Sequence, residues 1–151
     1  MKLNSHNEWD KLREVIVGRA GTKAYLVWPR PGLPDPKVLA KAEQLAREAY
    51  PQWLVDEINE DHESLCNVLR EYGAKVYRPD NALVDKFCST PLWSASGDNL
   101  CNARDLYLVV GDTLIESPSQ ERHRFFEATG YYDIWYEYFK NGGFRWIAGP
   151  K

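Results

Sequence analysis

An α/β fold built from short strands alternating with helices is the class that this 151-residue chain predicts. Three observations point to it. Short β-branched and aromatic runs are bounded by Gly, Pro or Asn; stretches of helical periodicity lie between them; and one hairpin pattern turns at Gly111-Asp112.

The elements follow in order. Val15-Ile16-Val17 reads as a strand ended by Gly18, and the prolines and glycines between Ala20 and Pro36 predict a long loop. Val38, Leu39, Ala42, Leu45, Ala46 and Ala49 recur at helical spacing up to Pro51. A second helix is predicted over about 52–72, with Leu54, Ile58, Leu65, Val68, Leu69 and Tyr72 as its apolar stripe and Gly73 as its C′ residue. Lys75-Val76-Tyr77 follows as a strand, so residues 12–78 form a first unit. Residues 82–101 read as mixed, loop-like chain.

The stretch from Asn102 to Glu127 carries the strongest pattern. Leu106 to Val110 is a nearly continuous apolar run, which predicts a strand covered on both faces, with Asp105 on the face of Tyr107 and Val109. Thr113-Leu114-Ile115 returns antiparallel, and Ser117-Pro118-Ser119-Gln120 has the form of a capping box opening a helix. Phe125, Phe126, Tyr131, Ile134, Trp135, Tyr138 and Phe139 have helical spacing with a break at Gly130, and Arg145-Trp146-Ile147 is a last strand. A second unit therefore spans about residues 100–148, alike in pattern but not a sequence repeat.

Composition excludes several classes. The net charge is −3 with Lys and Arg scattered singly, so no basic footprint for nucleic acid is present. No apolar stretch approaches the roughly 20 residues that cross a bilayer, and the N-terminus lacks a signal-peptide core, so no membrane partner is expected and the expected location is cytoplasmic. Cys66, Cys88 and Cys101 have neither metal-ligand nor disulfide spacing and are expected as reduced, structural thiols. His6, His62 and His123 share no ligand spacing, so neither a metal nor a cofactor is expected. The Arg122, His123, Arg124 cluster offers a contact for an acidic group, but its plainer reading is a solvated helix face.

Asn7-Glu8-Trp9-Asp10, Leu12 to Arg19, Arg104-Asp105-Leu106 with Val109 to Asp112, Ile115-Glu116 with Pro118, Arg122 to Glu127, and Trp146 with Ala148 to Lys151 occur in that order. Together they resemble the amidinotransferases, the glycine and inosamine-phosphate amidinotransferase group. The resemblance implies a pentein fold, a propeller of five αβ modules, with residues 1–151 supplying about two of them as one N-terminal part. It further implies transfer of an amidino group from L-arginine to an amine acceptor: a Cys thiolate attacks the guanidinium carbon, ornithine leaves, and the amine takes the group from the covalent intermediate.

One role carries over. The Asp of the family's Arg-Asp pair matches Asp105, implying that it grips the substrate guanidinium, a task suited to a carboxylate facing a planar fork of donors. No catalytic residue carries over, because the family's His-x-Asp motif and its Gly-rich His-Cys segment have no counterpart here, and the chain is expected to be inactive alone. Ala103 stands where the family often has Pro, and Ser119-Gln120 replaces a commonly apolar pair. The plainer reading of Asp105 is a strand-start residue paired with Arg104 or capping a turn. Two alternatives accompany the transferase reading: a non-catalytic arginine-binding or regulatory module, and a guanidine-hydrolysing pentein. An opened propeller would expose module faces, so self-association is a further expectation. The acceptor is not legible.

Overall fold

The computed structural model describes residues 2–21, 37, 50–80, 87–92, 94–96, 100–119 and 124–149. The loop over 22–36 and the helix predicted over 38–49 lie outside the described residues.

In the first unit, strand β1 (Glu14–Ile16) lies parallel to β2 (Lys75–Tyr77), with Val15 opposite Val76. Helix α1 (Gln52–Glu71) leads into β2. It ends as Gly73 predicts: at φ +83° this residue donates to the Arg70 carbonyl, and Ala74 donates to Leu69 at 3.0 Å, satisfying carbonyls that the helix leaves open. The buried stripe, however, is rotated from the predicted one. Val55 and Cys66 are buried, whereas Leu65, Val68 and Tyr72 are exposed. Helical periodicity located an amphipathic helix but could not say which of two adjacent apolar stripes faces the core. A two-stranded hairpin, β3 (Phe87–Ser89) with β4 (Ser94–Ser96), stands where the sequence suggested loop.

The second unit begins with a one-turn helix, α2 (Ala103–Leu106), followed by β5 (Tyr107–Val110) and β6 (Thr113–Glu116). Gly111 at φ +57° makes the turn between them, and the N-terminal Ser5 bridges to it in both directions. A 3₁₀ helix (Glu127–Tyr131), helix α3 (Tyr132–Gly142) and β7 (Arg145–Ile147) complete the unit. The sheet order is β5-β6-β7, antiparallel then parallel. The predicted capping box does not open a helix at Ser117 to Ser119, which have no regular structure; Gln120 lies outside the described residues.

Register divides this sheet into unlike faces. Tyr107, Val109, Leu114, Glu116 and Trp146 share the inner face, where Tyr107 and Leu114 are buried in one cluster with Tyr131, Trp135 and Tyr138, and Glu116 is buried against Tyr132. Leu108, Val110, Ile115 and Ile147 share the other, and Leu108 is 59%, Val110 53% and Ile147 49% exposed. The expectation of a strand covered on both faces is thus not met: apolarity on both sides records what the strand could bury, while α3 covers one side.

Leu100 joins the two units. Its backbone exchanges hydrogen bonds with Arg19, both at 2.8 Å, and its carbonyl accepts a second donor, the Tyr131 hydroxyl. The chain comes so close here that a Cβ on Gly18 would lie 2.1 Å from the Leu100 carbonyl oxygen, and one on Gly130 would lie 2.6 Å from the Leu100 side chain. Gly130, read from sequence as a break, is a packing position inside the 3₁₀ helix that hands over to α3.

Two hydroxyls in the aromatic core are paired, whereas the indole nitrogens of Trp135 and Trp146 are buried without a hydrogen-bond partner among the described residues. The Tyr107 hydroxyl donates to the Ala128 carbonyl at 2.6 Å, and the Tyr132 hydroxyl donates to buried Glu116 at 3.1 Å. Burial first, and then Glu116, pushes the Tyr132 phenol up to about 12. Burial and then Glu14 push Tyr138 up to about 12.

Two outcomes are expected. Gly18→Ala should lower stability by about 1–3 kcal/mol or more in urea melts, because backbone rather than a flexible side chain must give way. Tyrosines held above the ordinary value of about 10 favour the folded state fully below that pH, and this stabilisation is lost as pH rises towards about 12. Tyrosine ionisation followed by ultraviolet absorbance should therefore coincide with unfolding, and Tyr132→Phe should shift the alkaline midpoint upward.

Candidate functional site

Asp105 lies in α2, one helical turn at the foot of the β5–β6 ribbon, and not on the strand itself. Its amide donates to the Asn102 carbonyl at 3.1 Å, which closes that turn, so the strand alternation that would put Asp105 on the face of Tyr107 and Val109 does not extend back to it. The side chain is 55% exposed. Its partner is Arg124, whose Nη1 donates to Asp105 Oδ2 at 3.0 Å; Oδ1 has no partner among the described residues. The simpler pairing with Arg104 does not form, since Arg104 reaches Glu8 across an exposed surface.

Arg124 is therefore not the solvated helix-face charge that the Arg122, His123, Arg124 run suggested; residues 122 and 123 lie outside the described residues. Its side chain is 19% exposed, and Nε donates to Glu127 Oε2 at 2.6 Å. Burial opposes its charge, but Glu127 and then Asp105 more than offset this, and its pKa is raised above the ordinary arginine value. Glu127 is almost wholly buried, on the first turn of the 3₁₀ helix. The result is a chain of charge: a buried glutamate fixes a guanidinium, and the guanidinium holds one oxygen of an outer carboxylate while leaving the other open. The only sequence signal for this was the i,i+3 spacing of Arg124 and Glu127 beside Phe125-Phe126, because the partner 19 positions earlier is joined by folding alone.

The other candidates separate. Cys66 is fully buried on α1, with Arg78 Nη1 at 3.5 Å from its sulfur, and Cys101 is half-buried beside Leu100. Cys88 lies on β3, and its side chain lies outside the described residues. Burial, followed by the nearby Arg78 charge, lowers the pKa of His62. No group of three potential metal ligands is gathered among the described residues. No helix among them is long and apolar enough to cross a membrane.

Unequal costs are expected from the two carboxylates. Glu127→Gln, which strands a buried guanidinium, should cost about 3–5 kcal/mol in denaturant melts. Asp105→Asn, at an exposed pair, should cost about 0–1 kcal/mol.

No protein-family model matches the chain. Comparison with curated proteins finds inosamine-phosphate amidinotransferase 1 of Streptomyces griseus, 37% identical over 99% of this chain and 43% of the relative. Mitochondrial glycine amidinotransferase of Danio rerio is 34% identical over 97% of this chain and 35% of its own length. Among solved structures, an amidinotransferase from Microseira wollei in the saxitoxin biosynthetic pathway superposes with a TM-score of 0.81 at 35% identity, covering 99% of this chain and 43% of that one. The chain thus spans well under half the length of the relatives it matches, in keeping with the motifs it lacks. By sequence over nearly its whole length and by backbone shape, the chain belongs with the amidinotransferases as a partial, N-terminal relative.

Proposed function

We propose that this chain is the N-terminal, guanidinium-gripping part of an amidinotransferase-type pentein propeller. In this reading the two units, about residues 12–78 and 100–148, are two of its modules, and Asp105 holds the guanidinium of L-arginine in a site completed by further modules. The observation that carries it is the state of the Asp105 carboxylate. Arg124 fixes one oxygen, backed by Glu127, and the second oxygen is open to accept from a planar cation. A fixed acceptor has less side-chain freedom left to lose when it binds.

The chemistry that follows would be amidino transfer to an amine through a covalent thioether-like cysteine adduct. The thiolate would have to come from outside the described residues, since Cys66 is sealed from solvent and Cys101 is half-buried beside the seam. The chain by itself is inactive in this proposal, because the His-x-Asp motif and the His-Cys segment of the resembled family have no counterpart in it. Transfer to an amine and hydrolysis by water share the same first step and differ in groups beyond this chain. The mitochondrial name of one relative shows that a cytoplasmic location does not follow from the family.

Support for a missing neighbour comes from uncovered apolar surface: Leu108, Val110 and Ile147 on the outer sheet face, and Leu65, Val68 and Tyr72 on α1. Continuous patches of this kind mark contact surfaces more often than free ones.

Light scattering of the 151-residue chain should show self-association that Leu108→Lys with Ile147→Lys suppresses. A monodisperse wild-type monomer with ordinary cooperative unfolding would refute the incomplete-propeller reading. Calorimetry with L-arginine separates the readings of Asp105. Undetectable binding is expected for an incomplete site, whereas binding abolished by Asp105→Asn would instead support the self-standing guanidine-binding module.

A further inference from the structure

A second charged site lies away from Asp105. An open cleft of about 420 Å³ is formed where the two units meet, between the ends of β1 and β2 on one side and the first turns of α3 on the other. That volume falls within the range of small-ligand sites, about 300–1,000 Å³. One wall carries Arg19 and Arg78 with Pro79 and Asp80, and the other carries Gly130, Asp133, Ile134 and Glu137. The second set recurs at three- and four-residue steps, so it is one face of the helix.

The charges on the two walls do not satisfy each other. Arg19 Nε donates to the Pro79 carbonyl at 2.8 Å, which directs the guanidinium along the wall, and its two terminal nitrogens have no partner among the described residues. Arg78 lies beneath, its side chain 8% exposed. Its Nη1 reaches Glu63 at 3.0 Å, but Nε and Nη2 are buried with no hydrogen-bond partner. A buried cation compensated at one nitrogen, by a half-exposed carboxylate that Arg70 also claims, leaves positive potential at the cleft floor. Across the gap, no ion pair within 4.0 Å joins Asp133 or Glu137 to either arginine among the described residues. Opposite charges on facing walls that stop short of pairing leave room for a molecule between them.

The charge balance selects the class of molecule. Asp80, on the arginine wall, has a partner of its own; a simple anion would meet Asp133 and Glu137, and a simple cation would meet Arg19 and Arg78. A molecule carrying both charges satisfies both walls. We propose that this cleft binds a small zwitterion, with its carboxylate on Arg19 over Arg78 and its ammonium against Asp133 and Glu137. Ile134 and the bare backbone at Gly130 give the connecting methylenes an apolar contact. The site shares no residue with the Asp105, Arg124, Glu127 cluster and does not depend on the guanidinium reading.

The test is an amide-resolved NMR titration of the 151-residue chain with two ω-amino acids, β-alanine and 6-aminohexanoate, against hexanoate and hexylamine, which each keep one charge. Saturable shifts at Gly130 and Ile134 are expected with at least one ω-amino acid, and affinities for the single-charge compounds about tenfold weaker or more. Glu137→Gln and Asp133→Asn, both at exposed helix positions where folding is not at stake, should each weaken binding about tenfold, and Asp105→Asn should leave it unchanged. Absence of saturable shifts with both ω-amino acids, equal binding of hexylamine or hexanoate, or loss of the response in Asp105→Asn would each overturn the proposal.

Discussion

Everything else in the molecule leans on the close backbone approach at Leu100. A carbonyl that accepts from both the Arg19 amide and the Tyr131 hydroxyl locks three segments together that are far apart in sequence. Two residues without a Cβ, Gly18 and Gly130, make that approach possible, and the Leu100 side chain, 3% exposed, fills the space they leave. The geometry has consequences on both sides of the seam. Three residues onward the chain enters the turn that carries Asp105, and next to the seam Arg19 and Gly130 become opposite walls of the charged cleft.

Charge inside the second unit is arranged by depth. Glu127 is the buried member, Arg124 the intermediate one, and Asp105 the outer one. Such a relay is stable because each buried charge has a partner, and it is useful because the last member is positioned without being consumed. Glu116 shows the contrasting case: a buried carboxylate capped by the Tyr132 hydroxyl within the aromatic cluster, which serves packing between the sheet and α3.

The apolar surface is equally uneven. The inner sheet face packs aromatic rings edge to face, Tyr107 against Tyr131 at 5.9 Å and Tyr132 against Trp146 at 5.3 Å, while the outer face leaves Leu108 and Val110 more than half exposed. One helix can cover one side of a three-stranded sheet and no more. Relatives more than twice as long as this chain have the material to cover the other side, and the strand sequence carries apolar residues suited to that contact.

The sequence by itself determined what is local. Strand β2, the hairpin at Gly111, the end of α1 at Gly73, the aromatic core face of α3 and the last strand are all set by residues within a few positions of one another, through turn geometry and side-chain periodicity. The resemblance to the amidinotransferases was legible for the same reason, since its motifs are contiguous. Only the tertiary structure decided which apolar stripe of α1 is buried, that the run before β5 coils into a turn of helix, and that β3 and β4 pair. It also decided the partners of Asp105 and the partly paired arginines of the cleft. The Asp105 pair and the joining of the two units depend on contacts between residues 19 to more than 100 positions apart, where burial and pairing are settled by what the chain brings alongside, and no local pattern records that.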